Sequence, residues 1–105
     1  MKTDSVISLI GIAKRAGKVV SGEFSTEKAI KEKKAKLVIV AEDASNNTKK
    51  LFTNKTKFYN VPLVFYGDKD SLGHGIGCEM RTSIGILDEG LADAIIKKLA
   101  NKGIS

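Results

Sequence analysis

The spacing of apolar residues along the chain alternates between the period of a helix and that of a strand. The continuous apolar run from Leu37 to Ala41 is rich in β-branched residues, which is typical of a central strand covered on both faces. Shorter apolar stretches predict further strands at residues 18–21, 63–66 and 83–87. Apolar stripes at helical spacing predict helices at residues 4–16, 22–33 and about 47–59, a short helix after residue 69, and a last helix after residue 87.

Polar residues that can cap a helix stand near several of these predicted starts. The paired acids Glu42–Asp43 and Asp88–Glu89 each lie at a strand-to-helix junction, where a carboxylate can accept the unpaired amides of the first turn. We therefore expect both pairs to act as caps rather than as catalytic groups. The other candidate caps are Thr3 or Asp4 for the first helix, residues of the turn 42–47 for the third, and Asp70 or Ser71 for the fourth.

The order of the elements predicts the class of fold. Because helices alternate with strands throughout, we expect an α/β domain with helices on both faces of a small sheet. A chain of 105 residues with 42% apolar content can form one compact domain and is too short for two. Since no linker, repeat or low-complexity tract is present, a single domain should span residues 1–105.

The charged residues are unevenly distributed. Residues 1–60 contain 13 basic and 6 acidic residues, whereas residues 61–105 contain 5 and 6. This asymmetry favours a polyanionic partner, although a solubilising surface would explain the charge equally well. The chain has no apolar run of about 18 residues that could cross a membrane, and we expect no secretory signal. A single cysteine fits a reducing cytoplasm.

The predicted second helix combines a glycine at its start with a row of lysines. Gly22 allows the close approach of another backbone, and the free amides of a helix start attract anions. The hydroxyls of Ser25 and Thr26 can hydrogen-bond to a base edge or a phosphate. An ordinary surface helix with pairs such as Glu27–Lys31 is the alternative. The lysines that we assign to a nucleic-acid interface are Lys28, Lys31, Lys34 and Lys36.

His74 and Cys78 are the strongest candidates for chemistry of another kind. They are four residues apart and would share a helix face, but a metal site needs a third ligand and a nucleophile–base pair needs an orienting residue. We expect a small buried Cys78 and a surface His74. Gly73, Gly75 and Gly77 do not form a nucleotide-binding pattern, and Gly73 and Gly77 should pack closely against the sheet. The sequence therefore predicts no enzyme, no cofactor and no metal.

Four segments of the chain occur in a specific order. They are a glycine with a lysine six residues later (Gly22, Lys28), the run A-K-L-V-I-V-A-E-D that ends at Asp43, V-P-L-V-F-Y-G (61–67) and L-G-x-x-x-G (72–77). Together they resemble the kink-turn-binding ribosomal protein family, which includes archaeal large-subunit protein L-seven-Ae and eukaryotic L-thirty-e. The resemblance covers about residues 5–99 and is greatest to short bacterial members of the YlxQ type.

The resemblance implies a three-layer α-β-α sandwich around a four-stranded mixed sheet. It also implies binding to a kink-turn, a sharply bent RNA with tandem sheared G·A pairs, whose widened groove the second helix enters. By matching positions, the amide of Gly22 would reach a phosphate. Phe24 and Ser25 would occupy the two base-reading positions, and Lys28 would contact guanine edges or the backbone.

Two loops complete the implied interface. Glu42 and Asp43 would flank it, and a later loop would cradle the flipped-out bulge nucleotide through apolar contact and stacking. That loop consists of Cys78, Glu79, Met80 and Arg81. The resemblance thus implies a protein that binds structured RNA and is associated with the ribosome or translation. No membrane or small-molecule substrate is expected, and a monomer is the default for this size.

The chain departs from the family at the base-reading positions. The family usually has Asn or Lys followed by Glu or Gln, where this chain has Phe24 and Ser25. Phosphate contacts would be kept and base readout weakened, unless Glu23 and Thr26 take it over or the RNA target differs. Phe24 and Tyr59 are also candidates for stacking on a base, although Phe24 could equally lie in the core. A protein–protein interaction module on the same fold is the alternative function.

Overall fold

The computed structural model describes residues 4–102, which form five helices and four strands. The helices are α1 (Ser5–Arg15), α2 (Glu23–Lys31), α3 (Asn46–Tyr59), α4 (Lys69–Gly75) and α5 (Glu89–Asn101). The strands are β1 (Val19–Ser21), β2 (Leu37–Val40), β3 (Leu63–Phe65) and β4 (Ser83–Ile86). Every element that the apolar pattern predicts is present, with small differences at the ends.

The four strands form one mixed sheet in the order β1-β4-β2-β3. β2 runs parallel to β3 and antiparallel to β4, and β4 runs antiparallel to β1. All residues of β2 and β4 are buried, because these two strands lie in the centre of the sheet between the edge strands. The apolar run that begins at Leu37 is therefore a central strand covered on both faces, as its pattern predicts.

Helices cover both faces of the sheet, which confirms the predicted three-layer α-β-α class. α2 and α3 pack together on one face, while α1 packs against α4 and α5 on the other. α2 lies close to the sheet at Gly85 of β4, where an added Cβ would lie 2.9 Å from Val20 and 3.6 Å from Thr26. Within residues 4–102, no helix is long and apolar enough to cross a membrane.

The first and last helices begin at predicted caps. The Asp4 carboxylate accepts the amides of Val6 and Ile7 at 2.8 and 3.2 Å and so caps α1. The other candidate, Thr3, lies outside the described residues. Asp88 caps α5 by accepting the amide in its first turn at 2.9 Å. Asp4 is thus confirmed as a cap of α1, and the prediction that an acid at a strand-to-helix junction caps the next helix is correct for Asp88 and α5.

The other two predicted starts are capped by residues other than Asp70, Ser71 and the Glu42–Asp43 pair. α4 is capped by Asp68 rather than by Asp70 or Ser71, because the helix already begins at the residue after Asp68. α3 is capped by Ser45 rather than by the Glu42–Asp43 pair, because the chain makes a turn after β2 before the helix begins. In both cases the cap depends on where the preceding strand ends.

The segment after α4 also departs from the prediction. α4 ends before Cys78, so this residue does not share a helix face with the exposed His74. Gly77 lies beyond the helix at φ 72° and does not pack on the sheet. Gly73 packs beneath the following loop instead, because an added Cβ would overlap the carbonyl oxygen of Glu79. This close approach fixes the path of the loop.

Candidate nucleic-acid interface

Three segments meet at the end of the sheet where β1 finishes and β4 begins, which we call the site end. They are the start of α2 (residues 22–25), the turn after β2 (residues 42–45) and the loop between α4 and β4 (residues 77–82). The amide of Gly22 donates to the carbonyl of Ser83, and that of Glu42 donates to the carbonyl of Gly67. The structure therefore brings most of the predicted interface to one end of the molecule.

The start of α2 has no side-chain cap. Gly22 adopts φ 89° and ψ 159°, a conformation available almost only to glycine. Its amide donates to Ser83 at 3.0 Å and is not available to a phosphate, which corrects the expectation from the resemblance. Within residues 4–102, the amides of Glu23, Phe24 and Ser25 have no acceptor, so these three are open to an anion.

Thr26 is fully buried between α2 and the sheet. Its methyl group faces Gly85, and its hydroxyl has no hydrogen-bond partner among the residues described. The prediction that Thr26 contacts a base or a phosphate is therefore wrong, and the residue instead seats α2 on β4. Ser25, one residue earlier, is exposed and remains available for such a contact.

Phe24 is 78% exposed, which excludes it from the core. It is the second residue of α2, and its side chain lines a groove with Lys28 and Lys31. Lys28 lies one helical turn further along and is also exposed, so the two side chains are neighbours on the same face. Tyr59, the other aromatic candidate, is half-buried at the opposite end of α3 and is remote from the site end.

The lysines on α2 and just beyond it differ in their partners. Lys31 pairs with Glu27 at 3.3 Å, which is the predicted pair, and Lys34 pairs with Glu32 at 3.4 Å. Lys28 has no carboxylate partner in the described part of the chain. Because its ammonium group is exposed and uncompensated, Lys28 is the lysine best placed to contact an anion at the site end.

Two of the predicted interface lysines lie at the other end of the sheet. α2 ends before Lys33, which adopts a left-handed φ of 61° and turns the chain. Lys34 and Lys36 follow this turn, and Lys36 donates its amide to the carbonyl of Ile86 at the far end of β4. Since a strand advances about 3.3 Å per residue, the whole length of β2 separates Lys36 from the site end. The structure does not bring these lysines to Gly22.

Arg81 links the loop before β4 to the end of β1, next to the start of α2. Its Nε donates to the hydroxyl of Ser21 at 3.1 Å, and its Nη1 donates to the carbonyl of Met80 at 2.9 Å. Met80 is 57% exposed and Glu79 is also exposed, whereas Cys78 is partly buried against the core. The side chains of Glu79 and Met80 therefore face outward, while the two hydrogen bonds of Arg81 hold the loop in place.

The acids of the turn after β2 act on the neighbouring helix. The Asp43 carboxylate accepts the amide of Lys69 at 2.9 Å, so it contacts the start of α4 rather than that of α3. Glu42 is exposed beside it. Both residues flank the site end, where their charge would oppose a phosphate. Within residues 4–102, no three His, Cys, Asp or Glu side chains are grouped as metal ligands.

A partly buried hydrogen bond ties the N-cap of α1 to the end of β3. The Tyr66 hydroxyl donates to Asp4 at 2.6 Å, and burial together with this bond raises the pKa of Tyr66 to about 12. Burial raises the pKa of Asp4 as well. The hydrogen bonds from Tyr66, Ile7 and Val6 outweigh that effect, so the pKa of Asp4 lies below its ordinary value.

Sequence reasoning missed three residues that shape the site end. Ser21 holds Arg81, Ser83 accepts the amide of Gly22, and Gly73 supports the loop before β4. No local pattern reveals the first two, because each acts on a residue distant in sequence. Gly73 and Gly77 predicted close packing, but the sequence did not show which segment packs against Gly73.

Comparison with known proteins finds a family and several relatives. A family model described as the ribosomal protein L7Ae/L30e/S12e/Gadd45 family matches residues 4–96. The chain is 44% identical to the RNA-binding protein YlxQ of Bacillus subtilis over 91 residues, which cover 87% of this chain and 91% of that protein. It is 43% identical to the RNA-binding protein YlxQ of Enterococcus faecium over 82% of each.

Two solved structures share the architecture. A protein of unknown function from Bacillus halodurans has a TM-score of 0.90 at 32% identity, covering 93% of this chain and 99% of that one. The 15.5kD RNA binding protein of Giardia lamblia has a TM-score of 0.77 at 19% identity, covering 96% and 90%. At that identity the second match shows the fold alone.

Proposed function

Because the chain belongs to the ribosomal protein L7Ae/L30e/S12e/Gadd45 family, we propose that it is an RNA-binding protein that recognises a kink-turn or a similarly bent structured RNA. The observation that supports this most is the open start of α2, where three free amides lie beside the uncompensated Lys28. The family and these relatives are not enzymes, which confirms the prediction that this chain is not one.

The open first turn would bind phosphate oxygens. Amides at the positive end of a helix dipole favour an anion, and Lys28 adds a full charge one turn away. A bent RNA can present one phosphate to α2 and a second segment to the loop before β4 at the same time. A straight duplex cannot do so, and the protein would therefore shift the RNA towards its bent form.

The loop before β4 would cover a bulged nucleotide. Met80 supplies an exposed apolar side chain, and the hydrogen bond from Arg81 to Ser21 keeps the loop beside α2. A nucleotide that leaves the helical stack exposes its base face, which an apolar side chain can contact. We also propose that the protein is associated with the ribosome or translation, is located in the cytoplasm and is a monomer.

Lys28→Ala tests this proposal. We expect it to weaken binding to a kink-turn RNA by about 1–3 kcal/mol, roughly 5- to 150-fold, if Lys28 contacts a guanine or the phosphate that positions it. Binding should also become less sensitive to salt. Titration of a kink-turn RNA and of a straight duplex at several salt concentrations measures both effects. Lys57→Ala, at an exposed lysine in the last turn of α3 and away from the site end, is the matched control and should change little.

Equal affinity of the wild-type protein for the two RNAs would contradict bend recognition and leave only a charge effect. A protein–protein interaction module is the second candidate function. It is favoured by Phe58, which is 78% exposed near the end of α3 and packs edge-to-face on Tyr59. A partner that is still captured after nuclease treatment, with no RNA crosslink at α2, would support the second function instead.

A further inference from the structure

The apolar ring of Phe24 is exposed to solvent, which its hydrophobic character does not explain. It is 78% exposed at the site end, although large aromatic side chains usually contribute to a core. It stands on the open turn of α2, next to three amides without acceptors. A phenyl ring has no donor or acceptor for a base edge, so hydrogen-bonded readout is not its role.

Two shallow grooves meet at Phe24. One, of about 250 Å³, continues over Lys28 and Lys31 along the exposed face of α2. The other, of about 280 Å³, runs between α2 and the edge strand β1 towards Lys34 and Leu87. Lys28 lines both grooves. Glu27 and Glu32 also line these grooves and pair with Lys31 and Lys34. Among the described residues that line them, Lys28 is the charge without a partner, so it is the group that can contact a phosphate beside Phe24.

We propose that Phe24 is a stacking platform for an unpaired nucleobase of the bound RNA, with the adjoining phosphates held by the free amides of α2 and by Lys28. The inference rests on the proposed RNA-binding function and specifies how the same site recognises its target. A planar aromatic ring with one face in solvent offers a base the contact that it loses when it leaves the helical stack.

Stacking changes what the site selects. Every base has a π face, so an aromatic ring accepts a purine or a pyrimidine without reading its edge. The base must, however, be unpaired at a fixed distance from the phosphate that occupies the first turn of α2. Phe24 would therefore select for the position of an unpaired nucleotide rather than for its identity, and a continuous duplex could not satisfy it.

The binding test compares Phe24→Leu with Phe24→Trp on a kink-turn RNA. Leu keeps an apolar side chain but removes the ring, so we expect affinity to fall by about 5- to 150-fold, whereas Trp should bind at least as tightly as the wild type. Each internal-loop nucleotide is then replaced in turn by an abasic one. One such replacement should weaken wild-type binding by a similar factor and leave the affinity of Phe24→Leu unchanged.

A fluorescence test uses the absence of tryptophan from the chain. Phe24→Trp introduces a single indole, and stacking on a base should quench its emission when the RNA is added. Phe58→Trp is the matched control, because Phe58 is also 78% exposed but lies in the last turn of α3, away from the site end. Its emission should not change.

The outcomes separate the inference from the function on which it rests. If Phe24→Leu binds as tightly as the wild type, or if RNA leaves the emission of Phe24→Trp unaltered, while Lys28→Ala still weakens binding, stacking is overturned and RNA binding stands. If the wild type does not prefer the kinked RNA and Lys28→Ala has no effect, both are overturned. Self-association without RNA that Phe24→Leu abolishes would also overturn stacking and assign the ring to a protein contact.

Discussion

α2 and α3 lie side by side on one face of the sheet and begin at the same end, yet their first turns differ. α3 is capped by Ser45, whose hydroxyl accepts the amide of Thr48 at 3.2 Å. α2 begins at Gly22 and has no side-chain acceptor. The helices α1, α4 and α5 are capped by Asp4, Asp68 and Asp88. Among the helices of residues 4–102, an open start is therefore a local property of α2.

The two starts are also in contact with each other. The Thr48 hydroxyl donates to the Glu23 carboxylate at 3.4 Å, and Glu27 of α2 pairs with Lys55 of α3 at 3.7 Å. These contacts hold the helices together while leaving the amides of α2 free. The start of a helix can therefore stay open to a ligand while its neighbours and its position are fully determined.

Among the variants considered, Gly22→Ala should have the largest effect on stability and on RNA affinity. An alanine at φ 89° and ψ 159° is strained although its Cβ would have nothing within 4 Å, so we expect the free energy of unfolding to fall by about 1–3 kcal/mol. RNA affinity should fall with it, because relief of the strain moves the free amides. Urea unfolding and RNA titration measure the two effects.

Asp88→Ala is the control for that variant. Loss of the α5 cap should lower the free energy of unfolding by about 1 kcal/mol but leave RNA affinity unchanged, because α5 starts after the end of β4, away from the site end. If Gly22→Ala proved as stable as the wild type, or if Asp88→Ala reduced RNA affinity as strongly, the distinction between the open start of α2 and a capped start would be lost.

Glu23→Gln should have a smaller effect, because it should lower stability but raise RNA affinity. Glu23 is the first residue of α2, where an acid stabilises the helix by about 0.3–1 kcal/mol but also repels a phosphate. We expect stability to fall by that amount and RNA affinity to rise by roughly two- to fivefold. Glu89→Gln, at the first residue of α5, should show the loss of stability without the gain in affinity.

Asp4→Asn should lower the free energy of unfolding at pH 7, and its difference from the wild type should shrink in acid. Asn can still cap α1, but its amide nitrogen cannot accept the Tyr66 hydroxyl as the carboxylate does, and Asn does not titrate. The pKa of Asp4 is lowered on folding, so its contribution is complete above the ordinary value of 3.8 and is lost as the pH falls through the lowered value. Unfolding free energies from pH 6 to 2.5 should fall more steeply for the wild type; parallel curves would contradict this.

The sequence predicted those parts of the molecule that local patterns determine. The run at Leu37 and the cap at Asp88 follow from residue type and spacing, and both appear as expected. The choice of Ser45 among the candidate caps of its turn and the burial of Thr26 do not, because they depend on where strands end and on how closely α2 approaches the sheet. At the site, the segments that the resemblance names lie together at one end of the sheet, whereas only the structure showed that the Gly22 amide is already used.

The close contact between Gly73 and the loop before β4 matters for any attempt to change which RNA the protein recognises. A side chain at position 73 would collide with the main chain of the loop before β4, so the path of that loop depends on a buried glycine of α4. The constraint acts on the carbonyl oxygen of Glu79, and the exposed side chains of Glu79 and Met80 are not part of it. These two positions can therefore be randomised in a selection library without loss of the loop's shape, provided that the glycine is kept.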